Sequence, residues 1–302
     1  MEKKQVAAVV VTYNRLPLLQ KCIESLQAQT VPCDILVVNN ASTDGTAQWL
    51  ETQQEAKVLT ARNTGANIGG AGGFNFGIRW AVEDGWENLW LMDDDCLPEP
   101  DALEKLLKAD RLLDGHYGWL SSRALWTDGS ECRMNRQKLK RGGQDFPSFT
   151  EEGLIQAVQA TFVSLFLRAE TVRVFGLPIK EFFIWGDDVE YTRRIAVRGK
   201  KASYVAGESR VIHAMKDNGG SSIAIDPERI DRYYYAYRNE AFTYRQEGVR
   251  GICYYLAKCG LNFCRILVKA PDRKGKRIRV LLRSMLSGMV FRPEIEKIEA
   301  RE

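Results

Sequence analysis

The sequence predicts an α/β protein with a mostly parallel sheet and a helical, basic C-terminal extension. Two observations carry this expectation. Short continuous apolar runs alternate four times with segments of helical periodicity between residues 6 and 107. From residue 230 onward the pattern is helical throughout and rich in Tyr, Arg and Lys.

The elements follow in order. Residues 6–11 are unbroken Val and Ala, as in a strand buried on both faces. After a turn at 12–15, Leu16, Leu19, Ile23 and Leu26 recur at helical spacing, with Pro17 at the front where a missing amide costs nothing. Residues 35–38 are a second buried run, closed by the polar stretch 39–45, and a helix follows over 46–55. Residues 57–60 read as a third strand. A glycine-rich loop, 65–73, then opens a helix containing Phe74, Ile78 and Ala81. Residues 89–92 form a fourth run that delivers Asp93, Asp94 and Asp95, and Leu103, Leu106 and Leu107 mark the next helix. The second half is less regular. It has a polar loop or ribbon at 127–150, strands at 162–167 and 202–205 with His213 shortly after, and a helix from Asp187 to about Arg198.

Composition narrows the class. The chain has 302 residues, 45 % of them apolar and 27 % charged, which excludes disordered, collagen-like and coiled-coil proteins. No apolar run reaches the roughly 18 residues a bilayer span needs. The first residues are too short and wrongly flanked for a signal peptide. Seven cysteines with no C-x-x-C pair fit reduced thiols of a cytosolic chain rather than a disulfide framework or a zinc site. The net charge of +4 is uneven. Residues 265–283 hold eight basic residues and one acid, a net +7 that leaves −3 for the rest.

In such sheets ligands bind beyond the carboxyl ends of the strands, and four polar loops meet that edge: 12–15, 39–40, 67–70 and 93–95. In an extended segment Asp93 and Asp95 point the same way and Asp94 the other. A hard divalent cation would relieve their repulsion, although a solvated acidic turn has the same sequence. Asp187 and Asp188 open a helix beside Trp185. One of them serves as an N-cap, and a carboxylate held at such a place can act as a general base. His213 is one of two histidines, either structural or a ligand. The glycines at 69, 70, 72 and 73 let a backbone approach a ligand closely, and helix-start amides suit a phosphate. Neither a dinucleotide fingerprint nor a Walker loop is present.

Together these motifs resemble family 2 glycosyltransferases of the GT-A fold, a Rossmann-like mixed sheet flanked by helices. They are V-V-V-T-Y-N-R at 9–15, V-V-N-N-A-S-T-D-G-T at 37–46, D-D-D at 93–95, and W-G-D-D-V-E-Y at 185–191 followed by His213. The segments N-I-G-G-A-G-G-F-N at 67–75 and Y-Y-Y-A-Y-R-N at 233–239 further resemble bacterial galactofuranosyltransferases. Rhamnosyltransferases using dTDP-rhamnose share much of the pattern.

The resemblance implies an inverting, metal-dependent transfer from a nucleotide sugar, UDP-galactofuranose in the first instance, to a glycan or lipid-linked glycan. Asp93, Asp95 and His213 would hold Mn²⁺ or Mg²⁺, and Asp188 would be the base. Trp185 and Asp187 would line the acceptor side. Thr12, Tyr13, Asn14, Arg15, Asn39, Asn67, Gly69, Gly70 and Asp94 would hold the nucleotide sugar. Many relatives carry Asp where this chain has Asn39, an amide that both donates and accepts. Residues 1–225 would be the catalytic domain and 226–302 a C-terminal helical region. A nucleotidyltransferase or a non-catalytic sugar binder are the remoter alternatives.

The basic segment 265–283 interleaves charges with apolar residues, which suits an anionic membrane surface. That places the protein in the cytoplasm, peripheral at the inner face of the membrane. No nucleic-acid motif accompanies the charge. The tyrosines at 233–237 are expected to pack between tail and core.

Overall fold

The computed structural model describes residues 4–140 and 153–298. Its order is β1 (Val6–Thr12), α1 (Leu16–Gln27), β2 (Asp34–Asn39), α2 (Thr46–Glu55), β3 (Thr60–Asn63), α3 (Gly69–Glu83), β4 (Asn88–Asp93), β5 (Cys96–Pro98), α4 (Ala102–Leu112) and β6 (Leu120–Leu125). There follow β7 (Lys138–Leu139), β8 (Leu154–Gln159), β9 (Leu165–Arg168), α5 (Ala169–Phe175), α6 (Asp187–Arg193) and β10 (Tyr204–His213). The helices α7 (Tyr233–Arg245), α8 (Gly248–Lys269) and α9 (Lys274–Val290) end the chain.

These strands form one ten-stranded sheet in the order β3-β2-β1-β4-β9-β6-β10-β8-β7, with β5 paired to β10. The β3-β2-β1-β4 half is parallel. Beyond it the sheet is mixed, because β9 runs antiparallel to both β4 and β6. Residues of β1 alternate between two cores. Val6, Ala8 and Val10 join α1, α2 and α4, and Ala7, Val9 and Val11 join α3 and α5. This double burial is the reason the strand has no polar face.

The structure corrects four expectations. The third strand begins at Thr60, because α2 ends in a left-handed Lys57 whose amide still bonds to Gln54. The ninth strand begins at Leu165, after a turn through Ser164 at φ 58°. The strand at 202–205 runs on, past a bulge between Ala206 and Arg210, so that His213 is its last residue rather than a later one. Most of the glycine-rich loop is the first two turns of α3. There the missing side chains serve packing: a Cβ on Gly73 would lie 2.5 Å from Val11, and one on Gly77 2.6 Å from Val9 and 2.9 Å from Val38. Of the polar loop 127–150, residues 141–150 lie outside the described part.

A Gly77→Ala substitution therefore costs about 1–3 kcal/mol through overpacking, against a helix-propensity gain of up to about 1 kcal/mol. A lower denaturant midpoint is the expected result, and a higher one would contradict the close approach of α3 to the sheet.

Candidate active site

Strand β4 ends at Asp93 and the chain turns through Asp94 and Asp95 into β5. The turn aims the three carboxylates differently. Asp94 accepts from Thr12 Oγ1 at 2.8 Å, from the Tyr13 amide at 3.4 Å and from Arg15 Nη1 at 3.4 Å. Asp95 accepts from Arg15 Nη1 at 2.8 Å and faces His213 Nε2 at 3.0 Å. His213 reaches it because β10 pairs antiparallel with β5, setting His213 opposite Cys96. Among the described residues, Asp95, Cys96 and His213 have potential ligand atoms within 4.8 Å of one another. Asp93 stands outside that trio but within reach of its charges.

Burial pushes the Asp93 carboxyl up to about 7, with the Asp95 charge adding to it. Burial likewise lifts Asp94 to about 6, against the pull of Arg15. Asp95 goes the other way. Burial opposes its charge, but the hydrogen bond and charge of His213, with Arg15, hold it below the ordinary carboxylate value. His213 is pushed up to about 10, the Asp95 contact outweighing burial. The imidazole is bracketed by acceptors, since Nδ1 lies 2.7 Å from Asn135 Oδ1 and Nε2 faces Asp95. Either it carries both protons, or a cation takes the place of the one on Nε2. Of the trio, the Asp95 carboxylate and the His213 imidazole suit Mg²⁺ or Mn²⁺, while burial keeps the Cys96 thiol protonated and a poor ligand for such ions, and Asn135 fixes the outer nitrogen as histidine ligands require.

The second acidic centre starts α6. Gly186 at φ 88° leads into Asp187, which is buried, and Asp188, which is partly exposed. Asp188 accepts from the Val189 amide at 2.7 Å, and burial raises its carboxyl to about 6. Asp187 is raised well above its ordinary value by burial and then by the Asp188 charge, with Asp93 contributing. Burial thus disfavours the charge on both carboxyls, and Asp187 also feels the charges of Asp188 and Asp93. Glu190, the third acid of the segment, is buried against Arg194 and Arg198 and takes no part.

The loops on the nucleotide side are largely engaged with one another. Asn14 accepts from the Thr43 amide at 2.7 Å. Asn39 is buried, and its Oδ1 accepts from the Ser42 amide at 3.0 Å, so its oxygen shapes the loop. Asn67 accepts from Gly69 at 2.9 Å and from Asn40 at 3.2 Å. A Cβ on Gly69 would lie 2.0 Å from the Phe183 carbonyl, so this glycine admits the 182–186 turn rather than a ligand. Gly70 has open space beside it, and Tyr13 is exposed.

Sequence reasoning missed what holds the 182–186 turn. Phe183 and Trp185 both have positive φ, 63° and 64°, a strain of about 1–3 kcal/mol per residue. Asn239 of α7, fully buried, donates Nδ2 to the carbonyls of Phe182 at 3.0 Å, Ile184 at 3.3 Å and Trp185 at 2.7 Å. Arg238 donates to the carbonyl of Glu181 at 2.6 Å. The tyrosines pack as expected, Tyr233 against Trp185 with ring centroids 5.1 Å apart. The only signal for Asn239 was its place at the end of the Y-Y-Y-A-Y-R-N segment.

Replacing Asn239 by Asp keeps the shape but loses the donors. It should lower stability by at least about 2 kcal/mol, since buried acceptors are left unmet. An unchanged unfolding midpoint would mean that water satisfies these carbonyls.

Comparison with known proteins bears on the family and the fold. The sequence profile of glycosyl transferase family 2 matches residues 7–112. Galactofuranosyltransferase GlfT1 of Mycolicibacterium smegmatis is 28 % identical over 301 residues, covering 93 % of this chain and 95 % of that one. Undecaprenyl-phosphate mannosyltransferase of Micrococcus luteus is 30 % identical over 200 residues, covering 65 % of this chain and 80 % of that one. The structure of GalNAc-T7 with UDP, GalNAc and Mn²⁺ superposes with a TM-score of 0.67 at 14 % identity. It covers 95 % of this chain, which spans 56 % of the GalNAc-T7 chain. This likeness is one of fold. With its mixed sheet and these relatives, the chain belongs to glycosyl transferase family 2, with the GT-A fold, and is a hexosyltransferase.

Proposed function

We propose that this enzyme transfers galactofuranose, with inversion, from UDP-galactofuranose to a hydroxyl of a cell-surface polysaccharide or lipid-linked glycan. The observation that carries this reading is the carboxylate pair at the start of α6, with Asp187 buried and Asp188 partly open to solvent. The galactofuranosyltransferase relative, aligned over 93 % of the chain, supports the sugar. GalNAc-T7, which shares the fold, binds UDP and Mn²⁺ in its crystal structure, and that supports the donor class.

Asp95 and His213, with Asp93, would hold Mn²⁺ or Mg²⁺, which when bound supplies Lewis-acid neutralisation of the diphosphate. Arg15, anchored on Asp94 and Asp95 and half-exposed, adds a positive charge on the same side. Tyr13, Asn67 and Gly70 border the donor, with Thr12, Asn14, Asn39 and Gly69 supporting these loops from behind. Trp185 and Asp187 line the acceptor side. Asp188 takes the proton of the acceptor hydroxyl as that oxygen bonds to the anomeric carbon and the bond to the diphosphate breaks. Residues 1–225 form the catalytic unit in this reading. Residues 226–302 brace it through Asn239, and the enzyme works peripherally at the cytoplasmic face of a membrane.

A donor screen with purified protein and Mn²⁺ tests the sugar. Turnover of UDP-galactofuranose well above that of dTDP-rhamnose is expected, and the reverse order would make the enzyme a rhamnosyltransferase.

Asp188→Asn should cut transfer by at least about 10²-fold while UDP affinity holds. Loss of UDP binding would remove Asp188 from the base role. The base form predominates above its pKa, so the rate of the unmodified enzyme should fall as pH drops through about 6. A flat acid limb down to about pH 5 would contradict the assignment.

A further inference from the structure

The C-terminal helices have one side packed and one side bare. In α8, Gly251, Tyr255, Cys259, Asn262 and Ile266 are buried, most of them against α7 and α9. The next stripe round the helix is apolar and open to solvent. Val249, Leu256, Leu261, Leu267 and Val268 are 47–80 % exposed, and Cys253 and Cys264 are exposed beside them. At 22 residues the helix is about 33 Å long, so this is a continuous face rather than scattered side chains. On α9, Leu282, Leu286, Met289 and Val290 form a second stripe, 48–77 % exposed.

The charge on these helices has one sign. Neither α8 nor α9 contains an Asp or Glu, and together they carry nine Lys and Arg residues. Arg277 is not available to a partner. It is fully buried, donating to the carbonyls of Ile223 at 2.6 Å and Asp226 at 2.8 Å. Arg250, Arg265, Lys269, Arg279 and Arg283 are exposed beside the apolar stripes.

We propose that the outer face of α8, together with the exposed stripe of α9, docks on an anionic lipid bilayer. The apolar stripes would enter the boundary between headgroups and acyl chains, and the flanking cations would meet acidic headgroups. Charge decides against a second copy of the chain as the occupant. A two-fold contact across these helices sets the same residues against each other, and neither helix offers an acid to pair with the exposed cations. The helices lie on the membrane rather than cross it, because no described helix is long and apolar enough to span one. This inference shares with the proposed function only the peripheral location, and does not depend on which sugar is moved.

Flotation of the full chain with vesicles of phosphatidylcholine, alone or mixed with phosphatidylglycerol, tests it without donor or acceptor present. Partitioning onto the mixed vesicles should be at least about tenfold stronger and should weaken as salt screens the charges. The double variant Leu256→Glu with Val268→Glu should lose most of it, as should Arg250→Glu with Arg279→Glu, which alters only exposed cations. Transfer to a soluble acceptor should be unchanged in both variants. A fluorophore on Cys253 and Cys264 should shift to the blue with the mixed vesicles. Absent binding, equal binding to neutral vesicles, or a dimer broken by the Glu substitutions in place of lipid binding would each overturn the proposal. A failed donor screen with intact vesicle binding would instead fault only the assigned sugar.

Discussion

Three consecutive carboxylates at the end of a buried strand repel one another, and the site is arranged around relieving that repulsion. Two like charges about 4 Å apart cost about 4 kcal/mol at an effective dielectric constant of about 20. The structure divides the load. Asp94 is tied back to Thr12 and Arg15, and Asp93 is driven toward its neutral form. Asp95 keeps its charge between Arg15 and His213. Every later feature, from the β10–β5 pairing that delivers His213 to Asn135 behind the ring, preserves that division.

The two acidic centres come from parts of the chain that fold on different logic. The end of β4 is placed by a parallel sheet whose strands are apolar on both faces. The Asp187–Asp188 pair is placed by a strained turn clamped from outside by α7. Asn239 reaches three carbonyls of that turn with one amide, so the C-terminal helices are part of the site's architecture. Their opposite side is the bare basic face of α8 and α9. A face seated on a bilayer would hold the acceptor side at a set distance from lipid-linked glycans, linking the brace and the docking surface.

Much of this was legible in the sequence. Strands β1, β2 and β4 of the parallel half could be read because they are continuous apolar runs, whereas the polar edge strand β3 was displaced, and both acidic centres could be read because each breaks such a run. The mixed half could not. Strand β5 has only three residues, and β6, with Ser121, Ser122 and Arg123, lacks an apolar run. The glycines at 69 and 73 looked like a ligand cradle because spacing alone cannot tell close packing from close binding. Contacts with Phe183 and Val11 decide it. Asn239 was illegible because its partners are backbone carbonyls more than fifty residues away, which carry no residue identity.

The central claim is that Asp95 and His213 face a proton acceptor at Asp188 across one cleft. Crystals grown with UDP and Mn²⁺, measured for anomalous scattering from manganese, test it most directly. The account predicts a single strong peak in contact with Asp95 and His213, with UDP beside it and the Asp188 carboxylate open to the same cavity. A peak bound elsewhere, or UDP seated with no metal while Arg15 and His213 keep their present contacts, would contradict it.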